Sequence, residues 1–285
     1  MVADSAEITC EVNPGRFSPN FFPLLKQSGF NRISFGMQSA NENELRYLGR
    51  GHSPTEVKKA VETAQQSGFD NISVDLMLGI PESSKEHLKQ SIDFISTLPI
   101  QHVSAYMLKI EKNTSFYAKR KTLPLPDDDG MADLYTYCVT ALKKIGFAQY
   151  EISNFAHPGK ESRHNLKYWH CEEYLGFGPS AHSFYQGKRF YYPRSLETFL
   201  TGENPIPDGT GGDFEEFAML NLRLREGVLL AECQKRFENG TEKFLRMQAN
   251  VKNCPPHLLS SDRNHIALTT DGFAVSNAVI LTLLS

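Results

Sequence analysis

Clustered cysteine is what this chain most plainly lacks. It has five cysteines, Cys10, Cys138, Cys171, Cys233 and Cys254, and no two lie within a few residues of each other. That spacing fits neither a disulfide framework nor a local metal motif; isolated thiols are the simpler reading. An apolar run long enough to span a bilayer is also missing. The opening Met-Val-Ala-Asp-Ser-Ala resembles neither a secretory signal nor a transit peptide, so a cytoplasmic location is expected. Nor is there a basic stripe. Lys and Arg are spread along the sequence and the formal net charge is -3, which argues against nucleic acid as a partner. What remains is ordinary: 285 residues, 40% hydrophobic and 22% charged, enough for a core of one or two domains.

Against that background a repeat stands out. Asn31–Ser39 (Asn-Arg-Ile-Ser-Phe-Gly-Met-Gln-Ser) reads as a buried strand closing on a polar pair, and follows Ser28-Gly29-Phe30. The phrase returns 39 residues on, at Ser67-Gly68-Phe69, ahead of the apolar run Asn71–Pro81. A helix, a Gly and a strand at that period predict parallel strands joined by crossover helices. In such folds ligands collect at the carboxyl ends of the strands.

In chain order, Glu7–Pro14 predicts a strand, and Ser18-Pro19 a helix start with Leu24 and Leu25 facing inward. Asn41–Gly51 is polar and mixed. Ser53–Glu56 is a capping box before the helical spacing of Val57, Ala60, Val61 and Ala64. Ile72–Leu78 predicts a parallel strand with apolar residues on both faces. Ser83–Glu86 predicts a second capping box, and Val103–Ile110 a fourth strand. Asp127, Asp128 and Asp129 open a helix whose buried side is Met131, Leu134, Tyr135, Cys138 and Leu142. Beyond lies a loop-rich stretch dense in aromatics and histidines, then a linker over Asn204–Asp213. A helix over Phe214–Leu224 follows, and a hairpin over His265–Ser276 feeds a last helix. The fold class is α/β: a partial TIM-like barrel of parallel strands with a small C-terminal α+β domain resembling a winged helix. Residues 1–120 are expected to form the partial barrel, 121–205 a connecting segment and 206–285 the C-terminal domain.

Four polar residues mark the expected strand ends: Glu11, Gln38, Arg50 and Asp75. Arg offers a planar fork to a carboxylate. An acid accepts from an ammonium or from ribose hydroxyls, and Gln both donates and accepts. S-adenosylmethionine carries all the matching groups. Taken singly, each residue reads equally as a satisfied polar strand end.

The motifs carry a resemblance. Glu7–Pro14, Asn31–Ser39, Leu48–Ser53 and Asp75–Pro81 resemble, in order, the radical S-adenosylmethionine proteins related to oxygen-independent coproporphyrinogen III oxidase. Tyr150–Ala156, Ser162–Trp169, Gly176–Ser183 and Leu222–Val228 are similar to the branch of HemW-type heme chaperones. The resemblance implies S-adenosylmethionine bound by Glu11, Gln38, Arg50 and Asp75. It implies heme as a ligand and heme-accepting apoproteins as partners. It also implies a [4Fe-4S] cluster on three clustered cysteines, which this sequence does not contain, in two strand-helix units ahead of Met1. The chain is therefore expected to be an N-terminally truncated member with no catalytic residue assigned. An open sheet edge is expected near Glu7–Asn13. The enzymatic alternative is oxygen-independent coproporphyrinogen III oxidase, a branch that does not usually carry the His164–Trp169 run. His164, Tyr168, Trp169 and His182 could contact heme; packing of the segment against the barrel mouth explains them as well.

Overall fold

The computed structural model describes residues 2–15 and 17–285, which divide into two compact units, Met1–Glu161 and Ser162–Ser285. The first unit runs β1 (Thr9–Val12), α1 (Phe21–Gln27), β2 (Arg32–Gln38), α2 (Glu42–Tyr47), α3 (Pro54–Gln66), β3 (Ile72–Leu78), α4 (Lys85–Ile95) and β4 (His102–Met107). It continues through α5 (Ser115–Lys119), α6 (Asp128–Lys144), β5 (Ala148–Gln149) and β6 (Asn154–Ala156). The sheet order is β1-β2-β3-β4-β6-β5. β1 to β4 are mutually parallel, and β6 returns antiparallel to both β4 and β5. This is the expected α/β plan, and β1 is an outer strand of the sheet.

The repeated Ser-Gly-Phe phrase is a helix terminator. Gly29 (φ +92°) donates to the Lys26 carbonyl and Phe30 to that of Leu25. Gly68 (φ +90°) and Phe69 make the same pair of bonds to Gln65 and Ala64. Each is a Schellman motif, in which a left-handed residue satisfies two orphan carbonyls. Gly146-Phe147 closes α6 in the same way on Lys143 and Leu142.

Other starts fall differently from expectation. α3 has its capping box, Ser53 with Glu56. α4 is capped by Ser84, which accepts from His87 N, so Ser83 is not the cap. α1 begins at Phe21 behind Asn20, not at Ser18, and it buries Phe22 while Leu24 is 56% exposed. Asn41–Gly51 contains the helix α2, whose first turn is capped by the Asn41 side chain, accepting from the backbone N–H groups of Asn43 and Glu44.

β3 is not apolar on both faces. Ile72, Val74, Leu76 and Leu78 are buried, whereas Ser73, Asp75 and Met77 share the alternate face by the two-residue period of a strand. The same alternation sets Ile33, Phe35 and Met37 against Arg32, Ser34 and Gly36 on β2, and Val103 and Ala105 against His102, Ser104 and Tyr106 on β4. One sheet face is thus an apolar core, and the other is almost wholly polar.

The second unit runs α7 (Arg163–Trp169), β7 (His182–Tyr185), β8 (Lys188–Tyr191), α8 (Leu196–Leu200), β9 (Ile206–Thr210), α9 (Phe214–Asn221), β10 (Val228–Leu229), α10 (Leu230–Arg236) and α11 (Gly240–Asn250). It ends with β11 (Leu259–Asp262), β12 (His265–Leu268), α12 (Thr270–Ala274) and α13 (Ser276–Leu284). Asn204–Asp213 is not a linker, because β9 is an outer strand of the antiparallel sheet β7-β8-β9. Pro207 and Gly209 are tolerated there because an outer strand can leave ladder bonds unmade. The last hairpin is β11–β12, earlier than expected, and Thr270–Ala274 is helical. With β10 it forms a three-stranded antiparallel sheet, order β10-β12-β11.

Candidate ligand-binding rim

The polar sheet face ends in a rim at the carboxyl ends of the parallel strands. Glu11 lies opposite Ser34 across the β1–β2 ladder. Ser34 Oγ donates to Asp75 Oδ1 at 3.2 Å, and Asp75 pairs in register with Ser104. Arg50, in the loop after α2, donates from Nη1 to Asn13 Oδ1 at 2.8 Å. Tyr106 OH donates to Gln38 Oε1 at 2.7 Å. Gly36 sits between these groups: a Cβ there would lie 3.2 Å from both Asn13 Oδ1 and Gln38 Nε2. Its missing side chain leaves a small gap lined by an amide oxygen and an amide nitrogen.

Gln38 itself is aimed by an irregular backbone. The register of β2 against β3 shifts between Phe35 and Gln38, and Gln38 adopts φ +68°. A bulge at a strand end re-aims a side chain in this way.

The electrostatics agree with the geometry. Burial raises the Asp75 carboxyl to about 6; nearby Glu11 adds to the rise, while the Ser34 hydrogen bond, Arg32 and Arg50 oppose it. Burial also raises the Tyr106 phenol, and the Asp75 charge adds to this. Glu11, Gln38, Arg50 and Asp75 therefore lie within one electrostatic neighbourhood. Sequence reasoning missed Asn13, Ser34, Gly36 and Tyr106. The signal for three of them was their alternation with buried residues along β2 and β4.

Below the rim the face is closed by a neutral relay. Ser73 Oγ lies 2.7 Å from His102 Nδ1, and His102 Nε2 lies 2.8 Å from Tyr150 OH. Burial, and then the Arg32 charge, lower the His102 pKa to about 3, so its imidazole is uncharged.

A zwitterion with a sugar fits this rim. It offers a cationic fork, two carboxylates, an amide with both polarities and a gap where ligand atoms can approach backbone. An iron-sulfur cluster does not fit the described residues. The five cysteines are free and dispersed, and no three His, Cys, Asp or Glu gather to hold a metal among the described residues. Cys10, next to Glu11, has its thiol pKa raised by burial and by that charge, which opposes thiolate formation.

In the second unit His164 Nε2 lies 3.0 Å from Tyr168 OH, one turn along α7. The Trp169 carbonyl accepts from Asn221 Nδ2 at 3.1 Å. His182 stacks on Tyr191 at 5.1 Å. Among the described residues, no helix is long and apolar enough to cross a membrane.

The parallel strands β1 to β3 lie within a match to a known class: residues 3–95 match the family model of the Radical SAM superfamily. The fold resembles that of a solved structure, "Coproporphyrinogen III oxidase (HemN) from Escherichia coli is a Radical SAM enzyme", with TM-score 0.79, 18% identity, and coverage of 99% of this chain and 70% of that one. The chain is 35% identical to the heme chaperone HemW of Lactococcus lactis over 281 residues, covering 96% of this chain and 74% of that protein. It is 40% identical to the heme chaperone HemW of Bacillus subtilis over 254 residues, covering 86% of this chain and 65% of that protein. The chain belongs to the HemW family.

Proposed function

We propose that the chain acts as a HemW-type heme chaperone. It binds heme for delivery to apoproteins and holds S-adenosylmethionine through Glu11, Gln38, Arg50 and Asp75. The observation that carries the S-adenosylmethionine reading is that the charges of Glu11 and Arg50 bear on Asp75, and that Gln38 bonds Tyr106 within the field of all three. Arg50 pairs its guanidinium with the ligand's carboxylate. Glu11 and Asp75 accept from its ammonium or ribose hydroxyls. Gln38, its oxygen engaged by Tyr106, presents its amide nitrogen to an acceptor on the ligand. Bound S-adenosylmethionine supplies a sulfonium and an aminoacyl end; the described residues contribute recognition. The family also implies a [4Fe-4S] cluster, but no set of described residues suits one.

The heme reading rests on the family and on the names of the relatives. Titrating the chain with hemin should shift the Soret band and saturate near one equivalent, and the loaded chain should pass heme to an apoprotein acceptor. No shift would count against it. Calorimetry with S-adenosylmethionine tests the rim separately: the wild type should bind, and Arg50→Ala and Asp75→Ala should bind at least about tenfold more weakly.

A further inference from the structure

Gln38 is held in a conformation that its own chemistry disfavours. Its φ of +68° is left-handed for a residue with a Cβ, and Ser39 N donates back to the Met37 carbonyl at 2.9 Å. A bond from i+2 to i across a residue with positive φ is a classic γ-turn, a rare and strained geometry. Such a residue is strained and persists only where its surroundings over-determine it.

The surroundings here form one directional chain of hydrogen bonds. Ala40 N donates to Ser91 Oγ at 3.0 Å. Ser91 and Ser39 are joined through their hydroxyls at 3.3 Å. Ser39 Oγ donates to Glu44 Oε2 at 2.5 Å and accepts from Asn41 N at 2.9 Å. The Ser39 proton is committed to Glu44, so the proton between the serines comes from Ser91. On the other side of the turn, the ring of His52 meets the Met37 carbonyl through Nε2 at 3.0 Å. Ser39 is wholly buried, Ser91 1% exposed, Glu44 5% and His52 8%. Burying a carboxylate this deep is unfavourable unless it is well bonded; Glu44 is bonded by Ser39 on one oxygen and faces His87 Nδ1 at 3.4 Å on the other.

We propose that Glu44, Ser39 and Ser91 are positioning residues for the S-adenosylmethionine rim. They clamp the γ-turn from the helix side of the sheet, so that Gln38 meets Tyr106 and the Gly36 gap. This rests on the S-adenosylmethionine reading and adds to it three residues, none of which lines the rim. The clamp draws on three elements: Ser39 after β2, Glu44 from α2 and Ser91 from α4. Asn41 ties them together, capping α2 through its side chain while its backbone N–H donates to Ser39.

The test is a double-mutant cycle on the full chain, read by calorimetry with S-adenosylmethionine and by thermal melting. Ser39→Ala and Glu44→Ala should each weaken binding about tenfold. Glu44→Gln keeps an oxygen that accepts from Ser39 and should restore affinity to within about threefold of wild type. Ser91→Ala, a milder cut, should cost about threefold and serves if Ser39→Ala fails to fold. In a Gln38→Ala background, Ser39→Ala should still lower the melting temperature but change affinity no further, because it acts through Gln38. An equal loss of affinity with and without Gln38, or a lower melting temperature with affinity intact, overturns the clamp and leaves the rim standing. A wild-type chain that binds no S-adenosylmethionine overturns the rim, and the clamp's role with it.

Discussion

Tyr106 OH donates to Gln38 Oε1 at 2.7 Å, joining the end of β4 to the end of β2 across the intervening strand β3. This one bond selects the orientation of the Gln38 amide. With its oxygen taken, the nitrogen is turned toward Gly36, where a Cβ would meet it at 3.2 Å.

Tyr106→Phe removes the hydroxyl and little else. The half-buried ring stays in place, so the cost to stability should be about 1 kcal/mol, the net worth of one hydrogen bond. Affinity for S-adenosylmethionine should fall about fivefold, because the Gln38 amide can then turn either way. Calorimetry on a variant shown to melt within a few degrees of wild type decides this; unchanged affinity would mean that Gln38 is oriented by the γ-turn alone.

The pH dependence of stability should carry the signature of two buried carboxyls. Burial raises Asp75 to about 6 and Glu151 to about 7. Glu151 is wholly buried and accepts from Ser153 N at 3.0 Å and from the Asn154 side chain. Each binds its proton more tightly in the folded chain than in the unfolded one. Their stabilising contribution is therefore fully present below about pH 4, the ordinary carboxylate range, and is lost as pH rises through 6 and 7. Stability should fall between about pH 5 and 8, by on the order of 2 kcal/mol. Glu151→Gln should flatten the upper part of that fall in denaturant titrations at several pH values. An unaltered slope would show that Glu151 is not its source.

His102 should act in the opposite direction. Its pKa, about 3 in the fold, lies below the ordinary value near 6.5. The stability held in its neutral form is complete above about pH 6.5 and is lost as pH falls from there toward 3. His102→Ala also leaves Ser73 and Tyr150 without the ring between them, and should cost about 2–4 kcal/mol at pH 7. On acidification from pH 7 to 5, where Asp75 and Glu151 add stability and His102 opposes them, the variant should therefore gain more stability than wild type. An equal gain would assign the opposing effect to other groups.

These assignments show which parts of the fold were legible in the amino-acid order. Helix ends were, because Gly29 and Gly68 solve a local problem with local bonds. Glu11, Gln38, Arg50 and Asp75 were singled out through family motifs, and by residue type as polar groups at strand ends; calorimetry with S-adenosylmethionine tests whether they bind it. The polar face of β3 was missed: Ile-Ser-Val-Asp-Leu-Met-Leu reads as a buried run, and only the folded sheet shows Ser73 opposite His102 and Asp75 accepting from Ser34. Tyr106 was passed over for a similar reason, since nothing local in β4 announces a partner 68 residues away. β9 was hidden by Pro207 and Gly209, which mark a linker until pairing with β8 makes them an outer strand. Ser83 and Ser84 are equivalent caps on paper, and the turn after Pro81 chooses between them.

Gly36→Ala is the most discriminating change at the rim, because it adds one methyl group and removes nothing. Gly36 does not have the positive φ that would penalise a side chain, so an Ala is accommodated by the backbone. Its Cβ, at 3.2 Å from Asn13 Oδ1 and from Gln38 Nε2, is tighter than ordinary contact and requires those groups to give by a few tenths of an ångström. Stability should therefore change by no more than about 1 kcal/mol. Ligand affinity should fall further, about tenfold or more, because the methyl fills the gap through which S-adenosylmethionine would reach the strand backbone. Fold and site separate in this one variant: a normal melting curve with weakened binding places the ligand over Gly36, whereas normal binding places it elsewhere on the polar face.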